Sequence, residues 1–262
     1  MTASPTIIVF DSGLGGLTVF REIVKARPDA NYVYVADDAF FPYGHHTEEE
    51  IVARVVPLLG NLIADHRPDV AVIACNTAST LVMPHLRASY SSVPFVGTVP
   101  AIKPACALSQ TKRVSVLGTK GTVKREYTRT LIRDFGEGCE VTLVGAAELA
   151  AIAEAHLNGQ PVSDEAIAAE IAPCFVDGPA RTDTVVLACT HYPLLMDRLE
   201  QLAPWRVNWI DPAPAIARRT SDLLGARHGG GRGEPPRMLF TSGRPAMPDA
   251  VFATFFERRA AA

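Results

Sequence analysis

Two cysteines are the positions in this chain best suited to chemistry. Each closes an apolar run, and each is followed by small polar residues. Ala71-Val72-Ile73-Ala74-Cys75-Asn76-Thr77 and Val185-Val186-Leu187-Ala188-Cys189-Thr190-His191 read as one phrase written twice. A second pair matches in the same way: Ile7-Ile8-Val9-Phe10-Asp11-Ser12-Gly13 opens the first half, and Val114-Ser115-Val116-Leu117-Gly118-Thr119-Lys120-Gly121 opens the second. The chain therefore reads as two similar α/β lobes, each with one cysteine at the end of a strand. Two thiols facing each other across a cleft suit a reaction that removes a proton on one side of a carbon and returns one on the other.

A free cysteine is among the most buried residue types, and either thiol alone would be assigned to packing. Repetition of Ala-Cys with Asn-Thr or Thr-His behind it reverses that assignment. Cys106, Cys139 and Cys174 lack such flanks and are assigned to packing. His191 lies two residues beyond Cys189, so in an extended segment both face one side, which makes His191 an acid–base partner for the thiol. Asp11 has a structural alternative as a turn or capping residue, because the glycines after it favour a tight turn. Gly13-x-Gly15-Gly16 lacks the full spacing and the acidic ribose partner of a dinucleotide fingerprint. His45-His46 reads as a polar loop before a helix.

Strand-type runs recur at Ile7–Phe10, Tyr32–Ala36, Val70–Ala74, Phe95–Val99, Val114–Gly118, Val141–Val144, Val185–Ala188, Val207–Ile210 and Met238–Thr241. Short, continuous and rich in Val and Ile, they fit strands buried on both faces of a parallel sheet. Helical segments lie between them. Leu17, Phe20, Ile23 and Val24 form one face. Thr47 with Glu50 forms a capping box that opens a helix through Ile51, Val55 and Leu62, which Pro57 should kink or end. Ser163 caps another helix, with Asp164 and Glu165 in its first turn and Ile167, Ile171 and Phe175 on one face.

Such alternation predicts an α/β fold: two similar doubly wound lobes with mostly parallel sheets, related by a pseudo-two-fold axis, with the active site in the cleft between them. The expected division is residues 1–97 with 211–262 in the first lobe, to which the final strand and helix (Met238 to Arg259) return, and 98–210 in the second. Gly225–Pro236 is expected to be a mobile surface loop.

In an open α/β sheet, ligands bind beyond the carboxyl ends of the strands. Asp11, Ser12, Cys75, Asn76, Thr77, Thr119, Cys189, Thr190 and His191 all fall there. Each such end precedes a helix, whose free N–H groups and partial positive charge attract carboxylates. An anionic substrate can thus be held without an arginine.

Composition narrows the classes. The chain has 262 residues, 48% of them hydrophobic, enough for a full core. A net charge of −3 and a pI near 6.2 give no basic footprint for nucleic acid. No apolar stretch approaches a membrane span, and no signal peptide is legible at the start. Five cysteines without framework or zinc spacing suggest free thiols in a reducing cytoplasm and no bound metal.

These residues resemble those of the glutamate racemases, in the cofactor-independent aspartate/glutamate racemase superfamily. The resemblance rests on Phe10-Asp11-Ser12-Gly13-x-Gly15-Gly16, Pro42-Tyr43-Gly44, Ala74-Cys75-Asn76-Thr77-Ala78-Ser79, Leu117-Gly118-Thr119-x-Gly121-Thr122 and Ala188-Cys189-Thr190-His191-Tyr192-Pro193-Leu194-Leu195. It implies that Cys75 and Cys189 transfer the proton. Asp11, Ser12, Tyr43, Gly44, Asn76, Thr77, Thr190 and His191 are then the substrate-binding set, with Thr119 added from its place at a strand end. Asp11 would assist Cys75, and His191 would assist Cys189. Glu154 matches the carboxylate that the family places near the second thiol. The family's Ala-Cys-Pro appears as Gly145-Ala146-Ala147. Its Gly-Asp-Thr-Ala-Arg appears as Ala36-Asp37-Asp38-Ala39-Phe40, so an added acid at Asp38 and a lost cation at Phe40 are expected to alter substrate preference or rate.

The function so implied is cofactor-independent interconversion of L- and D-glutamate, supplying D-glutamate for peptidoglycan synthesis. No lysine sits in a recognisable Schiff-base setting, although Lys120 is close to a strand end. Partners are limited to the small amino-acid substrate, with no nucleic acid and no membrane; a homodimer is compatible. Two alternatives stay open: a racemase, decarboxylase or isomerase acting on aspartate or another small diacid, and a binding or regulatory protein with little turnover.

Overall fold

Among the described residues, nine short strands dominated by Val, Ile and Ala set the architecture. The structure is a computed structural model that describes residues 3–225 and 233–244. It separates into two compact units: the first runs up to Thr98 and resumes at Ala213, and the second is Val99–Pro212.

The first unit contains β1 (Thr6–Asp11), α1 (Leu17–Ala26), β2 (Asn31–Ala36), α2 (Glu48–His66), β3 (Val70–Ile73), α3 (Asn76–Ser89), β4 (Phe95–Gly97), and, after the second unit, α10 (Ala213–Leu224) and β9 (Arg237–Phe240). Its sheet has the order β4-β3-β1-β2-β9, with every pairing parallel. Side chains alternate across β1. Ile8 and Phe10 enter a cluster with Val55 and Leu59 of α2 and Val82 and Leu86 of α3. Ile7 and Val9, equally buried, project to the opposite face. Each such Ile, Leu or Phe taken fully out of water contributes about 1.5–3 kcal/mol.

The second unit contains α4 (Ile102–Leu108), β5 (Arg113–Thr119), α5 (Lys120–Lys124), α6 (Glu126–Phe135), β6 (Glu140–Ala146), α7 (Leu149–Leu157), α8 (Asp164–Ile171), β7 (Thr184–Ala188), α9 (Met196–Leu202) and β8 (Asn208–Ile210). Its sheet order is β6-β5-β7-β8, again parallel throughout. One face packs Leu117, Val185 and Leu187 against α7, α8 and α9. The other packs Val114, Val116 and Val186 against α4 and α6. With its added edge strand β9 set aside, the first sheet reads β2-β1-β3-β4, which is the same internal order. The repeated cysteine phrase thus marks a repeated topology: each thiol follows the third strand of its own unit.

All nine strands expected from the sequence are present, and the helix after Gly16 buries Leu17, Phe20, Ile23 and Val24. The capping box forms: Thr47 Oγ1 accepts from Glu50 N, and the Glu50 carboxylate accepts from Thr47 N at 2.8 Å. Two local expectations change in part or whole. Of the kink or end expected at Pro57, the end does not occur, since α2 continues to His66. Proline removes only one helical hydrogen bond at an exposed position, while Ile51, Val55, Leu59 and Leu62 anchor the helix on both sides. Phe175 is not on the helix that Ser163 caps, because that helix stops at Ile171. It packs beside Trp205 and Trp209 instead. The expected final helix and Arg258-Arg259, and most of the expected loop at 225–236, lie outside the described residues. Among the described residues, no helix is long and apolar enough to cross a membrane.

Candidate active site

In the first unit the carboxyl ends of neighbouring parallel strands place functional groups side by side. Ala74 N donates to Phe10 O, and Asp37 N donates to Asp11 O. Asp11, Asp37 and Cys75 therefore emerge at adjacent strand ends, and all three are buried. Cys75 is the N-cap of α3: its Sγ accepts from Ala78 N at 3.5 Å and lies 3.6 Å from Ser12 Oγ. A sulfur there meets the positive end of a 14-residue helix, which favours the thiolate. Asn76 and Thr77 follow in the first turn, both buried. The Asn76 side-chain amide meets no hydrogen-bond partner among the described residues. A buried amide with both ends unmatched is costly in a resting protein and suited to a bound polar ligand.

Asp11 does capping work as well as facing this end of the sheet. Its Oδ2 accepts from Gly13 N at 3.1 Å and from Gly16 N at 3.0 Å. Gly16 has to be a glycine: a Cβ there would lie 2.6 Å from Asp11 Cβ and 2.9 Å from the Tyr34 hydroxyl. Tyr43 is buried and donates its hydroxyl to Asp37 at 2.7 Å, whereas Gly44 beside it is exposed. Burial, then Asp37, Cys75 and Asp11, keep the Tyr43 phenol protonated far above its usual range.

The residues that depart from the family pattern belong to the scaffold. Asp38 accepts from Ser242 N at 2.9 Å and from Ser242 Oγ at 2.5 Å, tying the loop after β2 to the turn after β9. Phe40 stacks on His46 with ring centroids 3.6 Å apart and packs against the α2–α3 cluster. His46, expected to be only a loop residue, is the other half of that stack. Asp37 was not singled out from the sequence, nor was Arg54, whose guanidinium grips it with bonds of 3.2 and 2.7 Å. Arg54 lies 17 residues away on α2, and only the adjacency of two acids at 37 and 38 hinted that one needed a cation.

In the second unit Cys189 follows β7 and is buried. Its Sγ lies 3.8 Å from His191 Nδ1. The other ring nitrogen, Nε2, lies 2.9 Å from Glu154 Oε1, so α7 supplies the carboxylate that orients the imidazole. Burial alone would lower the His191 pKa. Hydrogen bonds and charge from Cys189 and Glu154 outweigh it and hold the pKa well above the ordinary value. Glu154, His191 and Cys189 are thus arranged as carboxylate, imidazole and thiol in sequence of contact. Thr190 is buried between the thiol and the imidazole in sequence. Thr119 spends its hydroxyl locally: it caps α5 by accepting from Thr122 N at 3.2 Å.

The remaining cysteines are packing residues. Burial pushes the Cys174 thiol up to about 12, and burial together with Cys139 does the same for Cys106. Cys139 is half-buried, and its Sγ lies 3.7 Å from Cys106 O. Lys120 is the first residue of α5. Among the described residues, no cluster of His, Cys, Asp and Glu is arranged to hold a metal ion.

The family model for Asp/Glu/Hydantoin racemase matches residues 10–220, a span that includes both thiols. The chain belongs to that family. Its similarity to a glutamate racemase from Brucella ovis is 59% identity over 222 residues, 84% of this chain and 80% of that protein. A glutamate racemase from Brucella anthropi is 57% identical over 226 residues, 86% of this chain and 81% of that protein. Among solved structures, Escherichia coli glutamate racemase, crystallised with L-glutamate and the activator UDP-MurNAc-Ala, superposes with a TM-score of 0.88 at 40% identity, covering 96% of this chain and 95% of that one. The Thermus thermophilus glutamate racemase gives 0.76 at 28% identity, covering 99% and 95%. Both sheets of parallel strands are those of the family fold.

Proposed function

We propose that this chain interconverts L- and D-glutamate without a cofactor, using Cys75 and Cys189 as the two acid–base groups. The observation that carries the reading is that each of the two equivalent strand ends holds a buried thiol with polar partners in reach of its sulfur. Cys75 has the α3 N-terminus and Ser12; Cys189 has His191 backed by Glu154. Substrate identity rests on the curated relatives, which carry the name glutamate racemase at up to 59% identity.

The chemistry needs a base and an acid on opposite faces of one α-carbon. An unperturbed thiol titrates at about 8.5, so a local environment that stabilises the thiolate is required near neutral pH. One thiolate takes the α-proton: an S–H bond forms, and the electron pair of the C–H bond passes into an enolate-like carbanion. The opposite thiol gives its proton to the other face, leaving a thiolate there. Atoms and charge balance, configuration inverts, and the next turnover in the reverse direction uses the thiols in exchanged roles. Backbone N–H groups at the α3 N-terminus, with Ser12, Asn76, Thr77 and Thr190, bind the substrate carboxylates and stabilise the charge that develops. Thr119, which caps α5 at the end of β5, stays in the substrate-binding set of this reading. The product D-glutamate would serve peptidoglycan synthesis in the cytoplasm.

The direct test is incubation of the purified protein in deuterated water with each enantiomer of glutamate and of aspartate, with no cofactor added, followed by chiral separation and mass analysis. Racemisation of glutamate with deuterium at the α-carbon supports the reading. Exchange of aspartate alone, or a requirement for pyridoxal phosphate, would overturn it.

A further inference from the structure

Asp37 is fully buried at the carboxyl end of β2, a strand away from Asp11. A second carboxylate in that place raises an electrostatic difficulty. It stands on the same side of the sheet as a thiol that has to ionise, and like charges oppose one another strongly where water is excluded. The protein answers with Arg54. Its Nη2 lies 2.7 Å from Asp37 Oδ1 and its Nε lies 3.2 Å from Asp37 Oδ2, a two-point fork that fixes the carboxylate plane. Arg54 is 37% exposed, so its own charge remains hydrated while its partner is at 0%. The guanidinium carbon also sits 5.9 Å from the centre of the Phe40 ring, a cation–π contact that steadies the fork.

The carboxylate so fixed has two further donors, the Tyr43 hydroxyl and the Thr241 hydroxyl, each at 2.7 Å. Tyr43 belongs to the short helical turn that packs on α3, the helix whose N-cap is Cys75, and both residues lie in the same buried cluster. The chain of contact therefore runs from Arg54 on α2, through Asp37, to a tyrosine beside the thiol. We propose that Arg54 is a positioning residue for the Cys75 half of the reaction: through Asp37 it fixes the Tyr43 ring, and its charge cancels that of a carboxylate buried near the thiol. The inference rests on the reading of Cys75 as an acid–base group. It also assigns a role to the departure at Phe40. With an aromatic ring at 40, the cation that neutralises this corner comes from α2, and the ring serves as its platform.

The charged and titratable groups around this corner are Asp11, Asp37, Asp38, Tyr43, His46, Arg54 and Cys75; Asp38 shares the Thr241 hydroxyl with Asp37, His46 stacks on Phe40, and Arg54 is the cation bonded to Asp37. Loss of the guanidinium should leave Asp37 uncompensated and make the thiolate at Cys75 harder to form. Three variants test it: Arg54→Met, Arg54→Gln, and Arg54→Met combined with Phe40→Arg. The last returns an arginine to a position whose ring now lies against the Arg54 guanidinium. Two readouts are taken on the full-length protein. One is the rate of Cys75 alkylation by iodoacetamide at fixed pH, without substrate, followed by peptide mass analysis. The other is kcat and KM for glutamate.

Arg54→Met should slow Cys75 alkylation by about tenfold and lower kcat by a similar factor, with a smaller change in KM. Arg54→Gln, which keeps a donor to Asp37 without the charge, should behave alike, and Phe40→Arg should restore both rates. A folded Arg54→Met protein whose Cys75 is alkylated at the wild-type rate overturns the proposal, whatever its turnover, because a merely structural arginine would give that result. If Arg54→Met does not fold, Arg54→Gln is judged by the same two outcomes. Failure of Phe40→Arg to restore either rate also overturns it. Should the wild-type protein fail to exchange the α-proton of glutamate, the functional reading falls, and the alkylation comparison still decides what Arg54 does to the thiol.

Discussion

His191 and Glu154 meet at 2.9 Å although 37 residues separate them in the chain. That contact fixes which imidazole nitrogen faces Cys189, and against the burial that lowers it Cys189 and then Glu154 hold the histidine pKa above that of a free imidazole. Replacing the carboxylate by Glu154→Gln should keep the shape and remove the charge. We expect kcat to fall by about tenfold to a hundredfold, since a general acid–base group loses its orientation and part of its driving force. Steady-state kinetics with glutamate check this, and unchanged kcat would show that Glu154 is dispensable.

The same pair predicts how stability follows pH. The folded-state pKa of His191 is raised, so its contribution is complete below the unfolded value of about 6.5 and is lost as the pH climbs through the folded value. In Glu154→Gln that loss should start at the same unfolded value but be complete at lower pH and be smaller in size. Melting temperature measured across the neutral and alkaline range for both proteins is the check. Parallel curves would mean that Glu154 does not raise the imidazole pKa in the folded protein.

Asp11→Asn and His191→Asn should each reduce kcat more than they raise KM, because their proposed work is at the proton-transfer step. For Asp11 the structure adds a second consequence. Its Oδ2 holds Gly13 N and Gly16 N, so the asparagine variant should also melt earlier unless its amide oxygen takes over both bonds. A raised KM at constant kcat would instead mark either residue as a binding group alone.

Gly16→Ala offers a steric test of the same corner. A methyl group there meets Asp11 Cβ at 2.6 Å and the Tyr34 hydroxyl at 2.9 Å, both in the buried interior. One of the two has to move. Overpacking of this kind costs about 1–3 kcal/mol, and displacement of Asp11 should lower turnover beyond what the stability loss explains. Denaturant melts alongside kinetics separate the two effects; a variant with normal stability and turnover would mean that Asp11 has more room than its contacts indicate.

Asp38 and Phe40 carry a different expectation than their sequence suggested. Asp38 is occupied by Ser242, and Phe40 by His46 and the α2–α3 cluster. Asp38→Ala should therefore cost about 1 kcal/mol of stability, modest because the site is half-exposed, and leave the preference between glutamate and aspartate unchanged. A change in that preference would return Asp38 to the substrate.

The fold was largely legible because parallel strands are buried on both faces and so appear as unbroken Val and Ile runs, as in Ile7–Phe10 and Val185–Ala188. The capping signals at Thr47 and Ser163 were legible for a local reason: both bonds are made within three residues. The thiols were legible through repetition. What the sequence hid depends on packing. Whether Pro57 ends α2 is decided by the buried face around it, and the helix after Ser163 stops at Ile171, where the tight turn Ala172–Cys174 with Pro173 takes over. The Arg54–Asp37–Tyr43 chain joins three segments and has no local signature, so the sequence of the altered stretch at 36–40 showed its change of charge but not the partners it meets.

The most direct test of the two-thiol account follows the proton itself. L-glutamate is incubated with the protein in deuterated water, the reaction is stopped at a few per cent conversion, and the enantiomers are separated and weighed. Two monoprotic bases require that the D-glutamate formed carries deuterium from solvent, while the L-glutamate that remains still carries protium. Cys75→Ser and Cys189→Ser should each abolish this inversion in a folded protein. D-glutamate that retains the original protium, or near-normal inversion in either variant, would contradict the account.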